Sequence, residues 1–332
     1  MKRVVNFVVI AGLAAEALVL GQGGDAGKVL AQVREALGGD KKLAAVKTVA
    51  ASGRSVKVSG DTSSAPADVE FAMELPDKYM KKEVLAMLGN NAITHTSGFN
   101  GDDVISATDT PPNLGGGRMV IQMGPGGAAP GVPPTPEQQA AMRKAALTSA
   151  HEDFARLTLG MFAASYPAFP LEFSYAGQAE SPDGKADVIG VKGPDGFDAR
   201  LFVDSSTHLP LMLTWMAKEP LVIRNTSGPG RAGGSGGGGA SVVQFGGGAG
   251  QQMTPEQRDQ MIKDMQERMK QAEANLRTVE YRVYYSDYQD VSGVKMPFKL
   301  QRSIDGKPSE EMTLEKVKVN QKIDPKKFEV EK

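Results

Sequence analysis

The residues able to do chemistry in this chain are few and stand apart. Histidine occurs only at His95, His151 and His208, at no spacing that would bring imidazoles to one metal ion. His151-Glu152-Asp153 lies in a stretch with helical signals. Consecutive helical residues point in different directions, so the run reads as a solvated face and not as a ligand set. There is no cysteine, which removes disulfides, thiolate nucleophiles and sulfur-ligated metals together. Gly228-Pro229-Gly230-Arg231-Ala232-Gly233 spells GxGxxG. A dinucleotide loop needs a strand before it and a helix opening from it, and here the neighbours are more glycine. The Gly233–Gly239 run lacks the Lys-Ser/Thr of a phosphate loop. No nucleophile stands at a recognisable spacing from a base. These residues predict no catalytic residue, no metal and no cofactor, and a protein that is not an enzyme.

Apolar and aromatic residues carry more information. Tyr281 to Gln301 reads YRVYYSDYQDVSGVKMPFKLQ, with four tyrosines in its first eight residues. Val279, Tyr281, Val283 and Tyr285 share one face, and Glu280, Arg282, Tyr284 and Ser286 the other, which is the period of a strand. Asp290-Val291-Ser292-Gly293 is a turn and Met296–Leu300 resumes a strand, so the unit predicts a hairpin. Pro297 cannot donate to a ladder, which places its strand at an edge or the proline at the strand's first residue. Cross-strand packing accounts for Tyr281 and Tyr285; lining a ligand would account for them too. Met261, Met265 and Met269, with Ile262 and Leu276, form a stripe at i, i+4, i+8. That stripe suits a helix packed on a sheet, and also a soft surface facing a variable apolar ligand. Trp215, the only tryptophan, reads as core before ligand platform.

The elements that position these residues follow from composition and period. The chain has 332 residues, 40% hydrophobic and 23% charged, with net charge -1. This is enough for one large domain or two small ones, and it gives no general field for nucleic acid or an anionic membrane. Lys2 and Arg3 precede an apolar run from Val4 to Ala15, and Ala15-x-Ala17 or Val19-x-Gly21 offers cleavage spacing. Residues 1–21 are therefore expected to be a secretory signal peptide. The run is shorter than the ~20 residues of a membrane span, so no stable span is expected after cleavage. Without a cysteine near the cleavage point, the mature protein is expected free in the periplasm or secreted.

Asp25 caps a short amphipathic helix that Gly38-Gly39 ends. Val69, Phe71, Met73 and Leu75 alternate up to Pro76, and Asn100-Gly101 centres a hairpin. Leu171, Phe173 and Tyr175 alternate, as do Leu209, Leu211, Leu213 and Trp215. Pro194-Asp195-Gly196 turns between two more strands, and a slip between Leu314 and Val317 predicts a bulge. Strands joined by short turns imply a mainly antiparallel sheet. Two Gly/Pro-rich stretches, 105–134 and 225–252, interrupt this pattern and are expected to be mobile insertions. Each runs into the same tetrapeptide, Thr135-Pro136-Glu137-Gln138 and Thr254-Pro255-Glu256-Gln257. The capping box and the proline at N1 predict a helix at each, the first to about Ala164 and the second to about Leu276.

The order of elements resembles a known family. REALGGDKKLAAVKTVAASG is a helix closed by Gly-Gly and leading into a strand; MELPDKYMKKEV is strand, proline and basic strand. GFNGDDVI is a hairpin, RLFVDSSTHLPLMLTW a strand pair, and YSDYQDVSGVKMPFKLQ and KVKVNQKIDPKKFEV close the chain. Together these resemble the periplasmic lipoprotein-carrier (LolA-like) superfamily, especially its outer-membrane lipoprotein-sorting members. The resemblance covers most of the chain outside the two insertions. Where such carriers commonly have an arginine after the proline-led strand start, this chain has Met80-Lys81-Lys82. The resemblance implies an α+β fold: a strongly curved antiparallel sheet, a half-barrel, with helices on its concave side, spanning 22–332 as one domain. It also implies a lipid or lipoprotein acyl chain carried between sheet and helical lid.

On this reading Phe71, Met73, Leu171, Phe173, Leu213, Trp215, Tyr281 and Val283 face inward, and Met261 and Met265 cover them. The expected function is non-enzymatic carriage or sensing of a lipophilic ligand. The alternative is a solidly packed module that binds an envelope protein.

Overall fold

A computed structural model describes residues 25–88, 91–109, 120–122, 135–182, 184–226, 241–246, 260, 263–264, 267–268, 270–272 and 274–329. The expected signal segment 1–21, the second capping box at Thr254, and Met261, Ile262, Met265 and Met269 lie outside these residues.

Two helices open the described chain. Asp25 caps α1 (Ala26–Leu37) by accepting from the Gly27 amide at 2.9 Å. Gly38 ends α1 at φ 135°, where a Cβ would stand 2.5 Å from the Gly293 carbonyl oxygen, so only glycine fits. Val29, Leu30, Val33 and Leu37 make its buried stripe. A short α2 (Asp40–Ala45) leads into the sheet.

The first strands are β1 (Thr48–Ser59), β2 (Thr62–Ser63), β3 (Ala67–Glu74), β4 (Lys78–Leu88), β5 (Asn91–Asn100) and β6 (Asp103–Asp109). After β7 (Val120–Gln122) comes the long helix α3 (Pro136–Phe162). Then follow β8 (Glu172–Ser181), β9 (Gly184–Lys192), β10 (Asp198–Asp204), β11 (Pro210–Lys218), β12 (Leu221–Thr226) and β13 (Ser241–Gly246). The chain closes with β14 (Thr278–Val291), β15 (Val294–Ile304) and β16 (Lys307–Val319).

Among the described residues, thirteen strands form one sheet in the order β6-β5-β4-β3-β1-β16-β15-β14-β11-β10-β9-β8, with β2 beside β1. Every pairing in it is antiparallel, and β6 and β8 do not pair with each other, so the sheet stays open. Its curvature follows from what α3 touches. Phe154 meets the ring of Phe99 on β5, and Arg156 meets that of Trp215 on β11. Those strands are seven steps apart in the order, about 34 Å in a flat sheet. From Phe154 to Arg156 the helix rises only about 3 Å. The sheet must wrap around α3. It is a half-barrel with α1 and α3 on its concave side.

The capping box predicted at Thr135 is present: its hydroxyl accepts from the Gln138 amide while the Gln138 side chain accepts from the Thr135 amide. The first turns of α3 are exposed, and burial begins at Ala150. From there Phe154, Leu157, Leu159, Met161 and Phe162 enter the core. They belong to one core with Phe71 and Met73 of β3, Phe99 of β5, Leu201 of β10, Leu213 of β11, Val283 and Tyr285 of β14, and Met312 and Leu314 of β16. Gly160 permits the closest approach, since a Cβ there would lie 2.4 Å from the Tyr285 ring. A smaller cluster covers the convex side, where Phe328 packs on Ala72, Met80 and Ile105.

Four local expectations resolve in instructive ways. β15 is central, not an edge, and Pro297 is not its first residue. Its pairing with β16 begins only at Lys299, however, so at Pro297 the strand has β14 alone as neighbour and no amide is missed. The bulge expected after Leu314 is present: Gly53 pairs with Leu314 and Ser52 with Lys316, leaving Glu315 over. The hairpin loop is Gly101-Asp102, one residue later than expected, because Asn100 already pairs with Asp103. Leu211 leaves the apolar face because it is the extra residue where Phe202 pairs with Met212 and Val203 with Pro210. The stretches read as insertions carry β7 and β13, which flank β12 in a separate three-stranded sheet, parallel between β12 and β13. Their Val-Ile and Val-Val cores suit strands.

A charged crevice beneath the long helix

The concave face has two ends of different chemistry. One end is apolar and closed by α1 and the last turns of α3. At the other, the inward phase of four strands turns polar: Ser55 and Lys57 on β1, Lys81 and Glu83 on β4, Arg302 on β15, and Glu310 on β16. α3 lowers Asp153 into this group. The Asp153 carboxylate accepts from the Tyr79 hydroxyl at 2.8 Å and from the Arg302 guanidinium at 2.8 Å. Burial works against its charge, but Arg302, then Lys81 and Arg156, prevail and hold it well below the usual carboxylate range.

Glu310 is the second anchor. It accepts from the Ser55 hydroxyl at 2.5 Å and from Lys57 Nζ at 2.8 Å, and its other oxygen lies 3.7 Å from Arg302 Nε. Burial again opposes the charge, yet Arg302, Lys57 and Lys81 lower the pKa to about 2. Lys81 Nζ is 3.0 Å from Glu83, which Lys57 also approaches at 3.6 Å. Burial opposes the Lys81 charge as well, but Asp153, Glu83 and Glu310 raise its pKa. Burial and the neighbouring Asp153 raise that of the Tyr79 phenol well above its ordinary value. The lysine is charged and the phenol neutral at pH 7.

An aromatic clamp flanks the cluster. The Arg156 guanidinium lies 4.3 Å from the Trp215 ring centroid and 5.6 Å from that of Phe197, and it pairs with Glu152 at 2.6 Å. Trp215 stacks on Tyr281 at 5.5 Å with planes 16° apart. The Tyr285 hydroxyl donates to the Arg156 carbonyl at 2.6 Å, and the Tyr288 hydroxyl lies 3.0 Å from the carbonyls of Gly160 and Pro210. Tyr285 and Tyr288 therefore bind the sheet to the backbone of α3. Between helix and sheet is a cavity of about 10 Å³, floored by Phe71, Val283, Leu300 and Met312 and rimmed by Asp153, Arg156, Trp215, Arg302 and Glu310. That is room for one water molecule.

The family models yield no match to this chain, and neither do the curated proteins. Among solved structures it is similar to a LolA superfamily protein from Nitrosomonas europaea, at 9% identity and a TM-score of 0.43, over 92% of this chain and 98% of that one. It is also similar to a putative outer membrane lipoprotein-sorting protein domain from Vibrio parahaemolyticus (8%, 0.40, 92% and 97%). A DUF1329 family protein from Desulfovibrio piger stands at 4% identity and 0.40, over 92% and 98%. The half-barrel described above rests on this chain's own strand pairing.

Of the residues expected to face a ligand, Phe71, Trp215 and Val283 line the cavity. Met73 and Leu213 are fully buried core, Leu171 is buried, and Phe173 is partly buried against that core. Tyr281 stands behind Trp215, with its hydroxyl on the Lys218 carbonyl at 2.9 Å. Met261 and Met265 lie outside the described residues. The reading of His151-Glu152-Asp153 as a solvated face is corrected: Asp153 is the hub of the crevice, Glu152 holds Arg156, and the His151 ring packs on Phe99 at 4.3 Å. The curvature of the sheet brings strands onto a helix face that a flat sheet would leave wet. Sequence reasoning also passed over Tyr79, Lys81, Arg302 and Glu310. Their signal is a charge on an apolar phase: Arg302 continues Met296, Phe298 and Leu300, and Glu310 precedes Met312 and Leu314. Among the described residues, no group of three or more His, Asp or Glu is placed to hold a metal ion, and no helix is long and apolar enough to cross a membrane.

Proposed function

We propose that this protein is a periplasmic or secreted carrier or sensor that holds a lipophilic ligand, an acyl chain of a lipid or lipoprotein, between the curved sheet and α3 without covalent chemistry. The observation that supports this is the crevice, where an apolar floor meets a ring of ionisable side chains under a single helix. Burying a charge costs stability even where it is paired, so an interior built for stability alone has no use for Lys81 and Glu310 buried beside Asp153, Glu83, Arg302 and a half-exposed Lys57 at one mouth.

The cavity of about 10 Å³ is far smaller than the several hundred Å³ of a ligand site. On the proposed reading α3 is therefore a lid that leaves its seat on binding. The ligand replaces the Leu157 side chain, which lines that cavity, with its own methylenes, each worth about 0.8 kcal/mol on burial. The test is native mass spectrometry and lipid extraction of protein recovered from the envelope, with binding of 11-(dansylamino)undecanoic acid to the delipidated protein. Co-purified lipid and saturable fluorescence are expected; recovery of neither would overturn carriage.

The filled interior favours a second reading, an envelope-protein interaction module with a solid core. Against it, the exposed large apolar residues among those described, Met142, Leu211 and Met216, lie scattered on α3 and β11. Cross-linking in intact cells that traps one envelope protein, without any lipid, would favour the module.

A further inference from the structure

Asp153 occupies a position on the sheet that is built like a receptor for an anion. Its two donors, Tyr79 and Arg302, stand on β4 and β15, four steps apart in the strand order. In a flat sheet they would be about 19 Å apart; curvature makes them converge on one carboxylate. The sheet side of the crevice carries three cations, Lys57, Lys81 and Arg302, against two carboxylates, Glu83 and Glu310. It has one positive charge to spare, and the helix supplies the matching negative one. Arg302 keeps 34% of its side-chain surface exposed, so solvent reaches the site. The apolar floor at Phe71, Leu300 and Met312 begins directly beside it.

We propose that Tyr79, Lys81 and Arg302 form a head-group site for a carboxylate or phosphate amphiphile, and that Asp153 fills this site in the closed protein as an internal stand-in. This rests on the carrier reading and adds the head-group class and the means of closure. An incoming anion takes the two hydrogen bonds that Asp153 now accepts, its tail enters over the floor, and α3 loses the contact that seats it. A neutral lipid leaves the guanidinium with Glu310 at 3.7 Å alone and its hydrogen bond to Asp153 unreplaced, and is rejected, since buried charges demand partners.

The test compares binding of 11-(dansylamino)undecanoic acid with that of its methyl ester to the full delipidated protein. Dodecyl phosphate, dodecanol and inorganic phosphate serve as competitors. Wild type is expected to prefer the acid by at least about tenfold, the weight of one charge-assisted hydrogen bond, with the preference shrinking as salt rises. Asp153→Asn removes the competing charge and is expected to tighten the acid by about tenfold more than the ester. Arg302→Met is expected to bring the two probes level. Dodecyl phosphate should compete and dodecanol should not. Equal affinity for acid and ester in the wild type would overturn the head-group site while leaving carriage intact, and it needs no variant to fold. Binding of neither probe would overturn both. Competition by inorganic phosphate as strong as by dodecyl phosphate would mean a free-anion site and overturn the amphiphile.

Discussion

The two ends of the concave face are seated under the same helix but held by different forces. At the apolar end Phe154 packs tilted or edge-on against Tyr79 at 5.8 Å, Phe99 at 5.4 Å and Tyr166 at 5.5 Å. Such contact is non-directional and has no substitute in solution. At the charged end Asp153, Arg302 and Glu310 are joined by a few directional bonds, each of which another anion or cation can replace. The apolar end gives α3 its stability and the charged end gives it its exchangeability. A lid needs both.

The comparison breaks most visibly at Phe154. Phe154→Ala is expected to cost about 4 kcal/mol in urea unfolding, the usual loss for a fully buried ring. A loss below about 1 kcal/mol would mean that α3 is not seated on the sheet as described. Arg302→Met should cost less, about 2 kcal/mol, because the arginine is a third exposed and solvent weakens its pairs. Asp153→Asn in the same chain should recover part of that loss, and strict additivity of the two would show that they do not interact.

Acid sharpens the contrast further. Asp153 and Glu310 both have depressed folded pKa values, the latter at about 2, against about 4 unfolded. Their contribution is fully present above about pH 4.5 and is lost as pH falls through the folded values. The acid limb of the stability profile should therefore flatten in Asp153→Asn and stay unchanged in Phe154→Ala. The smallest effect belongs to the clamp. Arg156→Lys should cost about 1 kcal/mol in lost cation–π contact, and emission from Trp215, the only tryptophan, should shift because its ring loses the guanidinium cover. No shift would dissociate the clamp from the crevice.

How much of this could be read from the sequence depended on range. Local signals were legible: the Asp25 cap, the Thr135 capping box, the slip at Glu315 and the inward phase of Val279 to Tyr285 are all decided within a few residues. Pro297 predicts an edge strand or a strand start, and neither holds: β15 is central, and the proline is tolerated because the pairing with β16 begins only at Lys299. The crevice stayed hidden because it is made by curvature. Tyr79, Asp153 and Arg302 stand 74 and 149 residues apart along the chain, and no spacing rule joins them. What the sequence did hold was parity. Arg302 and Glu310 each occupy a phase that neighbouring residues fill with apolar side chains, and Lys81 stands opposite the inward Phe71.

The rims of the half-barrel, β6 and β8, share no ladder. A closed barrel has its radius dictated by strand number and stagger, but here, among the described residues, no strand ladder joins the two rims. The bore of the trough is set by whatever wedge stands inside it, at present α3. Exchange of one wedge for a thicker one would splay the rims by small changes of twist distributed over eleven strand junctions, with every inter-strand bond kept.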